Sequence, residues 1–391
     1  MNYSNIDITL GKTAIGNQEL KLDFIDSKTA NLICTVILQQ SVKVALRVLG
    51  VVTNLLTLAV FWRSGLNDGI SVGFFALTVS NLMCMALYLT ATEFVYADLT
   101  LRVRPYVSLY WVGYILPFYA ITFYIISTLI TVFLAVQKCC CVALPLTFKD
   151  QFSRNRCIAI IACIYSGIFA LYVLYTISVF PFQPGFDYST NSTRLIFKKS
   201  DFYSTTVFPI IKGFAYIFIP IISELIVLFC TILLTIKLEQ SAKFRMSATN
   251  KKEVRLASIE QVKTPIEEVN TNTHKPITGV KRRNPHSSLG NGKEEKSKEI
   301  MSKREMRATQ SVNMVAILFV VCNTPDVAVY LASLVVSDFS SSGRYVNTYW
   351  LCLELQDLMH VINMIVNLFV YLKYNSKFRR HCVSIFKLSR H

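Results

Sequence analysis

PFYAITFYIISTLITVFLAVQKCCCVALPL, residues 117–146, decides the fold. Its first 20 residues, to Val136, carry no charge, and a helix of that length crosses about 30 Å of hydrocarbon. A glutamine, a lysine and three cysteines then precede Pro145, so an apolar span ends abruptly in a cation and a row of thiols. This window extends over roughly 107–141, and six others resemble it, near 41–62, 70–95, 157–180, 206–236, 311–335 and 347–372. Within lipid every backbone group needs a partner inside the segment. Helices with scattered Gly and Pro meet that demand, whereas nothing here alternates like the strands of a membrane barrel. The expected fold is an all-α membrane protein, a seven-transmembrane-helix bundle with a short C-terminal interfacial helix.

The net charge of +16 does not indicate nucleic acid, because the basic residues collect in loops and the tail. Arg63, Lys149, Arg154 and Arg156 follow the first and third spans, and no acidic residue occurs from Lys373 to His391. By the positive-inside rule these sides are cytoplasmic and the N-terminus is outside; Arg194, Lys198 and Lys199 in the loop 181–205 run against that pattern. Residues 1–32 contain no apolar run of signal-peptide length, so the first span is expected to direct insertion. The sequons at Asn2 and Asn191 both fall on the expected outer face and are candidate glycosylation sites. Of 11 cysteines only Cys34 and Cys352 lie near that face, as a disulfide between the first and last helices or as two buried thiols.

The expected layout is an extracellular N-terminus over 1–40, helices one to five with their loops over 41–236, a cytoplasmic loop over 237–308, helices six and seven over 309–372, and an interfacial helix with tail over 373–391. The 237–308 tract holds 17 Lys/Arg against 9 Glu and too little apolar surface to fold alone, so it is expected to be flexible, its ends extending helices five and six. In the tail Phe378, Cys382, Ile385 and Phe386 share one helical face opposite Arg379, Arg380 and Lys387. That suits a helix lying in the interface, with Cys382 a candidate for palmitoylation or an unmodified thiol.

Several marks fall in a specific order. Gly50 and Asn54 lie in span one, Leu77 to Leu82 with Asn81 in span two, Gln137-Lys138-Cys139 at the end of span three, and Pro220 in span five. Cys322-Asn323-Thr324-Pro325 lies in span six and Asn367-Leu368-Phe369-Val370-Tyr371 in span seven, with Phe378 spaced as in an interfacial helix. Together these resemble the rhodopsin-like (class A) G protein-coupled receptors over nearly the whole chain. Within them the chain looks like divergent invertebrate expansions, including molluscan chemosensory and neuropeptide-receptor-like sets. The resemblance implies a heterotrimeric G protein as partner, with Gln137, Lys138, Cys139, Asn54, Asn81, Pro220, Cys322, Pro325, Asn367 and Tyr371 in coupling and activation. It also explains the opening stretch, since Lys138 stands where the family has an arginine. The lysine keeps the charge and loses the bidentate fork, and Gln137 removes the adjacent carboxylate. A cation there can snorkel, pair with a partner's carbonyls, or hold helix six through an acid; Glu224 is one acid within the expected reach.

The departures are numerous. Asn81 replaces the family's ion-binding Asp, Leu368 its Pro and Asn323 its Trp, and Gly113 stands where the helix-three cysteine is expected. Val361 occupies the position of an opsin's lysine and Ala120 that of an amine receptor's Asp, so neither retinal nor the usual amine contact is implied. What remains is charge inside the bundle, a functional signal by default. Glu354, Asp357 and His360 recur at i, i+3 and i+6, Lys43 and Arg47 at i and i+4, and Asp326, Tyr330 and Lys212 lie at similar depth. They form an internal ion-pair network or line a site for an extracellular peptide or small polar cue, and a network can do both. A channel or transporter would also use intramembrane charge, but no internal repeat or acidic ring supports one. No hydrolase, metal or cofactor motif occurs, so no enzyme, metal or cofactor is expected.

Overall fold

The structure, a computed structural model, describes residues 23–100, 109–143, 152–179, 182–187, 192–197, 210, 212–261 and 303–388. Among these, seven helices are long and apolar enough to span a membrane. Helix α1 is Ser27–Ser64, α2 Gly69–Thr100, α3 Leu109–Ala143 and α4 Arg154–Val179. Two strands follow, β1 (Phe182–Asp187) and β2 (Ser192–Phe197). Helix α5 starts as Lys212–Phe218 and runs on as Ile219–Gln261, then come α6 (Lys303–Val335), α7 (Val346–Tyr374) and α8 (Ser376–Leu388). Asn2 and Asn191 lie outside the described residues.

The helix ends follow from local chemistry. Asp26 caps α1 by accepting from the backbone N–H of Lys28 and Thr29 at 3.1 and 3.0 Å, which satisfies donors a helix start otherwise leaves open. Gly65, at φ +79°, ends α1 in a conformation other residues rarely adopt. Asp68 caps α2 through Ser71, and Asn375 accepts from the Phe378 N–H at 3.0 Å to start α8. The Lys377 ammonium donates to the Ser64 carbonyl at 2.6 Å, placing a cation at the carbonyl end of α1.

Two segments depart from regular α geometry. Leu32–Lys43 within α1 and Lys212–Phe218 at the start of α5 are wound with wider i→i+5 turns. The second lies just before Pro220, whose missing N–H breaks the regular ladder. The first carries the helix well ahead of residue 41, so residues 27–40, assigned from sequence to the N-terminal segment, belong to α1. Strands β1 and β2 pair antiparallel, Phe182 opposite Phe197 and Asp187 opposite Ser192, a hairpin that helical periodicity could not announce.

Helix α3 is the most buried and α4 the most peripheral, with 61% and 17% of their most apolar windows covered. Around α3, Leu77, Ile126, Ile130 and Leu134 join Val60, Phe61, Phe74, Tyr371 and Phe378 in one cluster. There Phe61 meets Tyr371 edge-on at 5.4 Å and Phe378 at 5.3 Å, geometries that favour aromatic pairs. Helix α2 lies so close to α3 that a Cβ on Gly113 would stand 2.6 Å from Val95 Cγ2 and 2.8 Å from the Ala91 carbonyl oxygen. A cysteine therefore does not fit where the resemblance expects one. Helices α5 and α6 stand farther out and reach α3 through side chains, Val227, Cys230, Ala316 and Phe319 around Ala135. Thr235–Met306 forms a separate unit, described from Thr235 to Gln261 and from Lys303 onward.

Candidate functional site

Charge buried in a hydrocarbon-facing bundle must find charge or hydrogen bonds nearby. Lys43 and Arg47, one turn apart on α1, are 3% and 7% exposed. The Lys43 ammonium pairs with Glu354 and lies 2.7 Å from Asp357 Oδ2, and Arg47 Nη2 reaches the same oxygen at 2.9 Å. Gln39 Nε2 donates to the other Glu354 oxygen at 2.5 Å, and the Arg47 guanidinium lies 4.4 Å over the Tyr88 ring. Two cations and two carboxylates thus close a neutral quartet between α1 and α7. The wide-wound part of α1 ends at Lys43 itself.

The i, i+3, i+6 series on α7 does not keep to one face. Each three-residue step falls about 60° short of a full turn, so His360 has rotated away from α1. Its ring stacks on Tyr124 of α3 at 4.3 Å, and its Nε2 lies 3.9 Å from Asp326 Oδ2 of α6, within ion-pair range and beyond a hydrogen bond. Gln356 donates its amide to the other Asp326 oxygen, and Tyr124 donates to Asn323 Oδ1, the side-chain amide oxygen. The structure therefore brings Lys43, Arg47, Glu354 and Asp357 into one group and Asp326 and His360 into a second. Gln356, Tyr124, Asn323 and Gln39 complete the two groups; of these only Asn323 stood out in the sequence, as the replacement for the family's Trp. Tyr330 is buried on α6; Lys212 begins α5, its side chain outside the described residues.

At the other end of the bundle Asn54 donates to the Gly50 carbonyl at 2.8 Å and to Met364 of α7 at 3.3 Å. Asn81 accepts from Ser127 at 2.6 Å, a neutral contact where the resemblance expects a carboxylate. Asn323 uses its own amide on the Phe319 carbonyl at 2.7 Å. Pro325 lies within α6 and Pro220 two residues into the regular part of α5, while Cys322, Asn367 and Tyr371 are buried. Gln137 and Lys138 are buried at the end of α3, Gln137 donating to Cys157 Sγ at 3.5 Å, and Cys139 packs beside Cys230. Glu224 accepts from Thr324 at 2.6 Å. Cys34 and Cys352 are free thiols. Cys382 is 5% exposed and packed with the Phe61–Phe378 cluster, and this burial pushes its thiol up.

Seven spanning helices around buried charge, with a short eighth helix after the last, are the architecture of a seven-transmembrane receptor. The family model for the serpentine type 7TM GPCR chemoreceptor Srx matches residues 45–262, more than half of the chain, which belongs to that family. It is thereby a multi-pass plasma-membrane protein of a receptor family, one whose general partners are extracellular ligands and G proteins, and not of an enzyme family. No curated protein matches it. The match runs from α1 through α5 and does not extend to the rhodopsin-like or molluscan likeness, which rests on the motifs alone. Asp326, Glu354, Asp357 and His360 all lie beyond the matched residues.

Proposed function

We propose that the protein is a chemoreceptor with its N-terminus extracellular and the Thr235–Met306 segment and α8 cytoplasmic. It takes a polar or zwitterionic cue or short peptide at the Lys43–Asp357 quartet and the neighbouring Asp326 group, and couples to a heterotrimeric G protein at the α3 end around Gln137, Lys138 and Cys139. The observation that carries this reading is the quartet itself. Four ionised groups held between two helices cost desolvation that apolar packing would avoid, and their pairings can be exchanged by a charged ligand. A ligand shifts the receptor only by binding one arrangement better than another, and a salt-bridged seam between helices offers two such arrangements. The more loosely packed α5 and α6, hinged at Pro220 and Pro325, then supply the moving elements. The rhodopsin-like motif order supports the same inner coupling surface.

Cells expressing the chain with promiscuous G protein reporters, screened with peptides and small water-soluble cues, should yield at least one activating cue whose potency falls in Glu354→Gln. A receptor shown at the surface by an amino-terminal tag yet silent to every cue, or a tag reached only after permeabilisation, contradicts the reading.

A further inference from the structure

The two buried groups differ in charge. The quartet is neutral, whereas Asp326, 3% exposed, has no Lys or Arg in ion-pair range among the described residues. Its neighbours are a neutral amide and an imidazole nitrogen 3.9 Å away that makes no hydrogen bond. The Gln356 amide, its orientation fixed by donating to Asp326, leaves its own oxygen buried and unpartnered, and that residue is 7% exposed. Two residues before Asp326 on α6, and about 160° around the helix from it, Thr324 holds one Glu224 oxygen while the other is buried without a partner. Oxygen acceptors thus outnumber donors here, and a buried acceptor left unmade is costly.

We infer that Asp326, with the Gln356 oxygen beside it, is the seat for the cationic head of an organic ammonium ligand. An ammonium offers up to three donors and no acceptor, the complement of this surplus, and its charge balances the Asp326 carboxylate, which neither cation of the quartet reaches. The resemblance points to no amine because Ala120 replaces the expected Asp on α3; here the carboxylate comes from α6. This inference rests on the proposed ligand-site reading and narrows its ligand class.

The test uses full-length receptor in lipid nanodiscs, followed by thermal unfolding with phenethylamine, choline, neutral N-acetylphenethylamine, or sodium chloride at matched ionic strength. At least one of the two ammonium compounds should raise Tm saturably, the neutral amide and sodium should not, and Asp326→Asn should weaken that apparent affinity about tenfold or more. Gln356→Leu should weaken it by a smaller factor. No shift with either ammonium compound, an equal shift with the amide or with sodium, or unchanged affinity in Asp326→Asn would each overturn the inference. Should Asp326→Asn fail to fold, the wild-type contrast between phenethylamine and its neutral amide still decides. The assay needs no G protein, so amine failure alongside other cues that depend on Glu354 discards this inference alone, whereas silence to all cues discards the receptor-site reading.

Discussion

The two halves of α7 solve the same burial problem in opposite ways. Toward Asp23, Glu354 and Asp357 hold Lys43 and Arg47 by charge; toward α8, Tyr371 packs among Phe61, Phe74 and Phe378 at ring separations of 5.4, 4.8 and 5.5 Å. An aromatic cluster is satisfied by one shape and resists change. A charged seam is satisfied by any arrangement that matches its signs, and this tolerance lets a solute compete. The difference teaches that one helix can serve as a rigid anchor at one end and a responsive contact at the other.

The largest expected effect breaks the charged half. Asp357→Ala leaves Arg47 without its carboxylate and Lys43 with one of two, and should lower stability by about 3–5 kcal/mol, read as thermal unfolding of purified receptor and as surface expression; Asp357→Ala with Lys43→Met and Arg47→Met should recover part of it. The aromatic half answers to Phe61→Ala, at about 3 kcal/mol. Asp357 and Tyr371 are about 21 Å apart along the helix, so the two losses should add to within about 0.5 kcal/mol; strong coupling would deny that the halves act separately. Gly113→Ala, where α2 backbone blocks a Cβ, should cost about 1–3 kcal/mol and shift thermal unfolding without altering the charged half.

The smallest effect concerns the cap on α7. Asp23 accepts from the N–H of Asn347 and Thr348 at 2.7 and 3.2 Å and from the Thr348 hydroxyl at 2.5 Å. Burial alone would raise its carboxyl, but these bonds outweigh it and hold the group below the ordinary 3.8. Its stabilisation is therefore complete above that value and fades as pH falls through the lowered folded one. Asp23→Ala should cost about 1 kcal/mol near neutrality, and the gap between variant and wild-type Tm should close in acid.

The spans were legible because a predominantly apolar run of about 20 residues admits few other readings. The quartet was legible too: charge in such a run needs a partner, and the i, i+4 pair on α1 and the i, i+3 pair on α7 have matching signs. Gln356 and Tyr124 gave no such alarm, since a neutral polar side chain costs little enough to occur anywhere in a helix, and Asn323 stood out only as a motif replacement, not as part of this group. The winding of Leu32–Lys43 was hidden because wide and regular turns use the same apolar residues. The hairpin carries Pro184 and Gly185 inside its first strand, residues that ordinarily argue against a strand. The Asp23 cap joins residues 324 positions apart, a pairing no local pattern records.

That cap, with Phe24 stacked on Tyr345 at 5.1 Å, makes the segment just before α1 a handle on the last helix. A pull on Asp23 or Phe24 is felt by the helix that carries Glu354, Asp357 and Tyr371 as well as by α1. Force applied at Asp23 is thus shared between the start of α7, through the cap, and α1, through the chain itself.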